Sequence, residues 1–91
     1  MQQDNEKVLH FNKILGELIK EKRMKEAKIS LNKFAREYDF DRGNLSKIEN
    51  GILNCRLVTA WKISEALGIK FSEFAKILED NLEENFTLID N

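Results

Sequence analysis

Residues 29–51, which read ISLNKFAREYDFDRGNLSKIENG, predict two short helices joined by a tight turn. Ser30 stands where the N-cap of the first helix belongs, and Asp41 stands at the same place for the second, because short oxygen-bearing side chains satisfy the free amides there. Asp39 lies in the turn, and aspartate is among the few residues other than glycine that adopt positive φ at tolerable cost. Gly51 is expected to end the second helix in a left-handed conformation.

The solvent side of the second helix is predicted to carry cationic and amide side chains. Once Leu45 and Ile48 turn inward, its outer positions are Arg42, Gly43, Asn44, Ser46, Lys47 and Asn50. Arginine and lysine reach phosphates or guanine edges, asparagine can pair with adenine, and glycine lets the backbone approach closely. The candidates for base contact are therefore Arg42, Asn44 and Lys47, with Gly43 permitting close approach. From this face alone, a helix reading a DNA major groove and an ordinary solvated helix are equally good interpretations.

Four separate pieces of the sequence carry a resemblance to a known family. They are LGELIKEKR (15–23), ISLNKFA (29–35), NLSKIENG (44–51) and WKISEALGIKFSEF (61–74). In order and spacing they resemble the lambda-repressor-like (Cro/Xre-type) helix-turn-helix domain, over about two thirds of the chain. The resemblance implies an all-α fold, a compact five-helix DNA-binding domain that usually acts as a homodimer on a near-palindromic operator.

The resemblance also implies where the DNA backbone would be contacted. A glutamine often follows the capping serine in this family, but here that residue is Leu31. The groups left for phosphate at this helix are Ser30, Asn32 and Lys33. In the family, the loop after the second helix of the motif runs along the DNA backbone. Its phosphate candidates here are Asn50, Asn54 and Arg56.

Two further residues are assigned to architecture by the resemblance. Arg23 matches a structural arginine of the family and Glu49 matches its acidic partner, so we expect an ion pair between the first helix of the domain and the second helix of the motif, which is the recognition helix of the family.

The first helix is expected to begin between Asp4 and Phe11 and to run to about Lys25. The loop that follows it is one residue longer than the usual pattern.

Apolar spacing indicates the rest of the core. Leu57 and Trp61 are expected to point inward from a fourth helix that spans residues 57–67, and Ser72 is expected to cap a fifth. For Ile52 and Leu53, inward packing is favoured over contact with DNA sugars or thymine methyls, because apolar residues near a core are mostly buried. The segment at 85–90 alternates weakly, which is compatible with a short strand or with a disordered tail.

Composition indicates one small helical domain. The chain has no proline, and its single cysteine excludes an internal disulfide and a cysteine-based zinc cluster. The net charge is −1, but residues 7–70 hold 14 Lys/Arg against 8 Asp/Glu, which gives +6 for that span. A basic body with an acidic end permits a positive DNA-binding face.

We divide the chain into a flexible N-terminus (1–7), the helix-turn-helix domain (8–80) and an acidic C-terminal tail (81–91).

These features favour a sequence-specific transcriptional regulator, a repressor or autoregulator, located in the cytoplasm. The alternative is an antitoxin-like or adaptor module that grips a protein partner through its tail. An enzyme is not expected, since the sequence has no phosphate loop, metal cluster or paired nucleophile and base. No cofactor, metal or membrane partner is expected. The sequence leaves open whether the chain is a phage-type repressor, a restriction–modification controller or an antitoxin.

Overall fold

A computed structural model describes residues 5–89, and within that range every regular element is a helix. The elements are α1 (Asn5–Glu21), a π-helical turn (Lys22–Ala27), α2 (Leu31–Glu37), α3 (Arg42–Glu49), α4 (Leu57–Ala66) and α5 (Phe71–Asn81). The all-α, five-helix fold class is therefore confirmed. Part of the expected flexible N-terminus, residues 1–4, lies outside the described residues, whereas residues 5–7 belong to α1. The proposed domain division stays a prediction.

One core holds the five helices together. α1 packs against α3 and α5, α2 packs against α3, and α4 packs against α5. The buried apolar side chains are Leu15, Leu18, Ile19, Phe34, Ala35, Leu45, Ile48, Ile63 and Phe74. Because α3 lies against both α1 and α2 while its other side is solvated, the fold presents that helix on a rigid base.

Local chemistry sets the ends of the two central helices as expected. Ser30 accepts a hydrogen bond from the Lys33 amide of α2, and Asp41 accepts one from the Asn44 amide of α3. Asp39 has a φ of 60° in the turn between them. At the end of α3, Gly51 has a φ of 74°, and its amide donates to the Ile48 carbonyl while the next amide donates to the Lys47 carbonyl. These bonds satisfy carbonyls that the helix end would otherwise leave free.

The extra residue after the first helix is absorbed by the π-helical turn. The expected end near Lys25 is too early, because the helical path continues to Ala27. There the Lys28 amide donates to the Arg23 carbonyl, five residues back, and Lys28 itself is left-handed with a φ of 54°. A turn of this kind holds more residues than an α-helical turn. The added residue therefore lengthens the helix end rather than the loop.

Several apolar side chains lie at the surface instead of in the core. The inward placement of Leu57 and Trp61 is wrong: they are 70% and 51% exposed, and the Trp61 ring stacks on Phe71 with 4.9 Å between centroids. Inward packing of Ile52 is also wrong, since it is 68% exposed, and Leu53 is partly exposed as well. The buried residues of α4 are Ile63 and Ser64.

The start of α5 differs from the expectation too. Ser72 is not the cap, because the helix begins at Phe71, two residues before the start that a cap at Ser72 would give, with Lys70 at the N-cap position and no side-chain cap. Lysine cannot accept a hydrogen bond from the first amides. The beginning of α5 is therefore held by packing, chiefly of the buried Phe74.

The described part of the tail folds back over α1. The Phe86 ring lies 6.2 Å from that of Phe11, and the Glu83 carboxylate contacts His10 Nε2 at 2.9 Å. A backbone amide and the His10 ring both bond Glu83 and lower its pKa. Lys7 Nζ donates to Thr87 Oγ1 at 3.3 Å. Residues 82–89 thus form neither a strand nor a detached segment, while the end of the predicted strand lies outside the described residues.

Candidate nucleic-acid interface

The solvent side of α3 is polar and open. Leu45 and Ile48 are buried beneath it, and Ser46 is half-buried. The exposed residues are Arg42, Gly43, Asn44, Lys47 and Asn50. The base-contact candidates therefore share one accessible face of a helix whose opposite face is packed.

Gly43 has a conformation and surroundings that do not require glycine. It lies inside α3, and an added Cβ would meet only the Asp41 carboxylate, at 3.4 Å. It is the second residue of the helix, in the first turn, where alanine would be at least as favourable. Neither backbone conformation nor the space around it therefore requires glycine at this position.

The N-terminal turns of α2 and α3 are linked by their side chains. Arg42 Nε donates a hydrogen bond to Asn32 Oδ1, which joins a base-contact candidate to a phosphate candidate. Ser30 and Lys33 lie on the same exposed end of α2, and Lys33 Nζ is 3.8 Å from Glu37. These four candidates form one polar edge beside the start of α3.

A second group of candidates meets at a cleft between α3 and α4. Asn44, Asn54 and Arg56 line this cleft, which has a volume of about 430 Å³. Two residues that sequence reasoning missed, Thr59 and Lys62, line it as well. They follow Arg56 at intervals of three, which places polar side chains on one face of a helix, and that spacing was the available signal.

Acidic groups border the same cleft and limit its positive potential. Asp39 and Asp41 line it beside the turn, although Asp41 is engaged as the cap of α3. Lys62 Nζ lies 5.0 Å above the Phe40 ring, which fixes its stem against the turn. The cleft therefore combines amide, hydroxyl and cationic donors with a carboxylate rim.

Asn50 lies apart from both groups. It is the C-cap residue of α3, and its side chain is 3.5 Å from Ser46 Oγ. It lines a different cleft, shared with Lys13 and Lys20 of α1. Asn50 is therefore the phosphate candidate that the structure separates from the cleft holding Asn54 and Arg56.

A buried ion pair ties α3 to the end of the first helix. Arg23 Nε donates to Glu49 at 2.7 Å, and its Nη2 donates to the other carboxylate oxygen at 2.9 Å. The two side chains are only 7% and 4% exposed. The third guanidinium nitrogen donates to the Ile29 carbonyl at 2.8 Å. A planar guanidinium binds both oxygens of a carboxylate in one fixed geometry. The pair therefore sets the orientation of α3 as well as its distance from the π-helical turn.

Sequence reasoning missed two residues of α1, Asn12 and Gly16, which support α3 and the loop that follows it. An added Cβ at Gly16 would lie 2.3 Å from the Glu49 carbonyl, so only glycine admits the end of α3. Asn12 is buried and donates through Nδ2 to Asn54 Oδ1 at 2.6 Å. The signal was spacing: Asn12 and Gly16 are four residues apart, which places them on one face of a helix.

The described residues hold no metal-binding group of His, Cys, Asp and Glu side chains. No helix in residues 5–89 is long and apolar enough to cross a membrane. What the site offers is hydrogen-bond donors and positive charges on α2, α3 and the loop into α4, which suits an extended anionic partner with exposed acceptors.

Comparison with known proteins places the chain among helix-turn-helix sequences. A family model described as helix-turn-helix matches residues 19–74. The protein named Control protein C.MunI, from Mycoplasma sp, is 41% identical over 64 residues, which cover 70% of this chain and 86% of that protein. The comparison with solved structures found no significant match.

Proposed function

The chain belongs to the helix-turn-helix family of DNA-binding transcriptional regulators, and we propose that it acts as a repressor or autoregulator, bound as a homodimer to a near-palindromic operator. The observation that carries this proposal is the exposed face of α3, on which cationic and amide side chains surround a glycine that the fold does not need. Two such helices, one from each subunit, would enter successive major grooves about 34 Å apart.

In this proposal, bases are read by Arg42, Asn44 and Lys47. Arginine and lysine donate to guanine O6 and N7, while asparagine pairs with adenine N6 and N7. Gly43 allows the α3 backbone to approach the groove floor. The polar face is continuous and unobstructed, which supports these assignments.

Phosphates on one side of the groove would be bound by Ser30, Asn32 and Lys33. On the other side they would be bound by Asn54 and Arg56 from the cleft between α3 and α4. Phosphate contacts set the register of a protein on DNA without reading sequence, so flanking groups of donors on both sides of α3 support this arrangement. Asn50 would contact a phosphate from the separate cleft on the α1 side.

An exposed apolar surface supports the homodimer. Leu57, Val58 and Trp61 lie together on α4, each at least half exposed, and Trp61 rests on the half-buried Phe71. A second copy of the same surface would bury these side chains symmetrically. The α4 surface is the dimer interface that we propose.

The relative's name, a control protein, is compatible with a regulatory role. We extend that role to this chain, with cytoplasmic location as part of the proposal. The alternative, a protein-binding tail, has weaker support because the described tail packs on α1. Within the described part of the tail, the exposed Leu88 and Ile89 favour it.

Selection from a randomised DNA duplex library tests the function. Purified full-length chain is incubated with the library, and bound duplexes are recovered and sequenced. We expect enrichment of a near-palindrome, and sedimentation of the recovered duplex with protein should give two chains per duplex. Failure to enrich any sequence at low salt, where phosphate contacts are strongest, would overturn the proposal and direct attention to the tail.

A further inference from the structure

The buried amide of Asn12 has no purpose in packing the core. It is only 5% exposed and sits on the apolar side of α1, one residue after Phe11. A buried amide costs free energy unless it is hydrogen-bonded, and an apolar residue would avoid that cost. The partner that Asn12 has is Asn54, whose Oδ1 accepts from Asn12 Nδ2 at 2.6 Å.

This bond determines which end of the Asn54 amide faces outward. A carboxamide has an oxygen that accepts and an NH₂ group that donates. When Asn54 Oδ1 is directed at α1, its NH₂ group lies on the opposite side of the amide. Phosphate oxygens only accept hydrogen bonds, so a reversed amide would present oxygen to oxygen.

Asn54 stands where that orientation matters. It is exposed, and it lines the cleft between α3 and α4 together with Asn44 and Arg56. The start of its loop is pinned as well, because a Cβ at Gly51 would lie 3.0 Å from the Lys13 backbone, which leaves no free space there. The loop is thus held against α1 at Gly51 by backbone contact and at Asn54 by the side chain of Asn12.

We propose that Asn12 is a positioning residue for DNA binding, which orients the Asn54 amide so that its NH₂ group donates to a DNA phosphate. The inference rests on the proposed function and deepens it, since it assigns a role to a residue that cannot itself reach DNA. It follows that Asn12 acts on affinity for all sequences equally, because phosphates carry no sequence information.

A double-mutant cycle tests the coupling. Dissociation constants for the selected duplex and for a scrambled duplex are measured for the wild type, Asn12→Ala, Asn54→Ala and the double variant. We expect each single variant to weaken binding to both duplexes about five- to tenfold, because each of the two bound subunits loses one hydrogen bond to phosphate. The double variant should be no weaker than either single variant. Multiplying losses, or no loss in Asn12→Ala, would overturn the inference.

Asn12→Asp provides a control of polarity. It keeps the size of the side chain but replaces the donor with an acceptor, so it would attract the Asn54 NH₂ group inward and turn the oxygen toward DNA. We expect weaker binding than in Asn12→Ala. Equal or tighter binding would contradict the proposed orientation. If the wild type binds neither duplex, the proposed function fails, which is a different outcome from binding that is indifferent to Asn12.

A measurement on the wild type keeps the inference testable if the variants do not fold. The side-chain amide protons of both asparagines are followed by NMR while the selected duplex is added. We expect the Asn54 NH₂ signals to shift and those of Asn12, already bonded to Asn54, to stay in place. Shifts confined to Asn12, or absent from both, would overturn the inference.

Discussion

Arg42 Nε donates a hydrogen bond to Asn32 Oδ1, which links the first turn of α3 to the first turn of α2. The family places a glutamine one residue earlier to support the recognition helix, and Leu31 stands there in this chain. The link is therefore made by the following residue. Asn32 still has an NH₂ group with which to bind phosphate. The oxygen of the Asn32 side chain would bind Arg42 and its NH₂ group would bind a phosphate, so the orientation of Arg42 would depend on the position of the DNA backbone.

The buried ion pair predicts a large stability loss when one partner is removed. Glu49→Ala should lower the free energy of unfolding by about 3–5 kcal/mol, because the Arg23 charge is left buried and unpaired. Urea unfolding followed by circular dichroism measures the change. The matched control is Asp80→Ala, which breaks the exposed pair with Lys76 and should cost about 0.5 kcal/mol or less. Similar losses in both variants would show that burial does not matter here.

Gly43→Ala should separate stability from DNA binding. We expect stability to be unchanged or to rise by less than about 0.5 kcal/mol, since alanine is the better helix former and residue 43 stands in the first turn of α3, while affinity for the selected duplex falls. Thermal unfolding and fluorescence anisotropy measure the two effects. Gly16→Ala is the contrasting variant, because its Cβ would collide with the Glu49 carbonyl and it should destabilise the fold. Unchanged DNA affinity in Gly43→Ala would remove the role given to this glycine.

The proposed dimer interface predicts that a charge on α4 gives monomers. Val58 is 72% exposed, so Val58→Lys should leave the fold intact while burial of a lysine across the interface opposes association. Sedimentation velocity measures the change in mass. Leu9→Lys serves as control, since Leu9 is an exposed apolar residue of α1. A Val58→Lys dimer as tight as the wild type would place the interface elsewhere.

The thiol of Cys55 should be unreactive at neutral pH. Burial raises its pKa to about 11, so the reactive thiolate is scarce in the folded protein. Alkylation by iodoacetamide at pH 8 should be much slower than in the urea-unfolded chain. Because the folded pKa is raised, stability is retained below the ordinary thiol pKa, near 9, and is lost as the pH rises toward 11. Equal alkylation rates in the folded and unfolded chains would contradict this.

Local chemistry made part of the fold predictable. The caps Ser30 and Asp41, the turn residue Asp39 and the end of α3 at Gly51 each depend on a residue type that few others replace. Amphipathic spacing likewise placed Leu45 and Ile48 on the buried side of α3. These features are set within a few residues along the chain, which is why the sequence alone was enough.

Contacts between distant residues were not predictable in the same way. Trp61 was expected in the core because apolar character does not distinguish a residue that packs within the chain from one left for a partner. Phe86 docks on Phe11, and Asn12 bonds Asn54, through pairings that no spacing rule connects. The roles of Arg42, Asn44 and Lys47 in reading bases stay predictions, since accessibility shows only that they can be reached.

Parallel selections from the randomised duplex library test most directly whether α3 reads bases. Wild type, Arg42→Ala, Asn32→Ala and an α5 control, Lys76→Ala, are each used to recover bound DNA. We expect Arg42→Ala to cost about 1–3 kcal/mol and to lose its preference at one base pair in each half-site. Asn32→Ala should weaken the preference at that same position, and Lys76→Ala should change nothing. An enriched motif that is identical in all four selections would contradict base reading by α3.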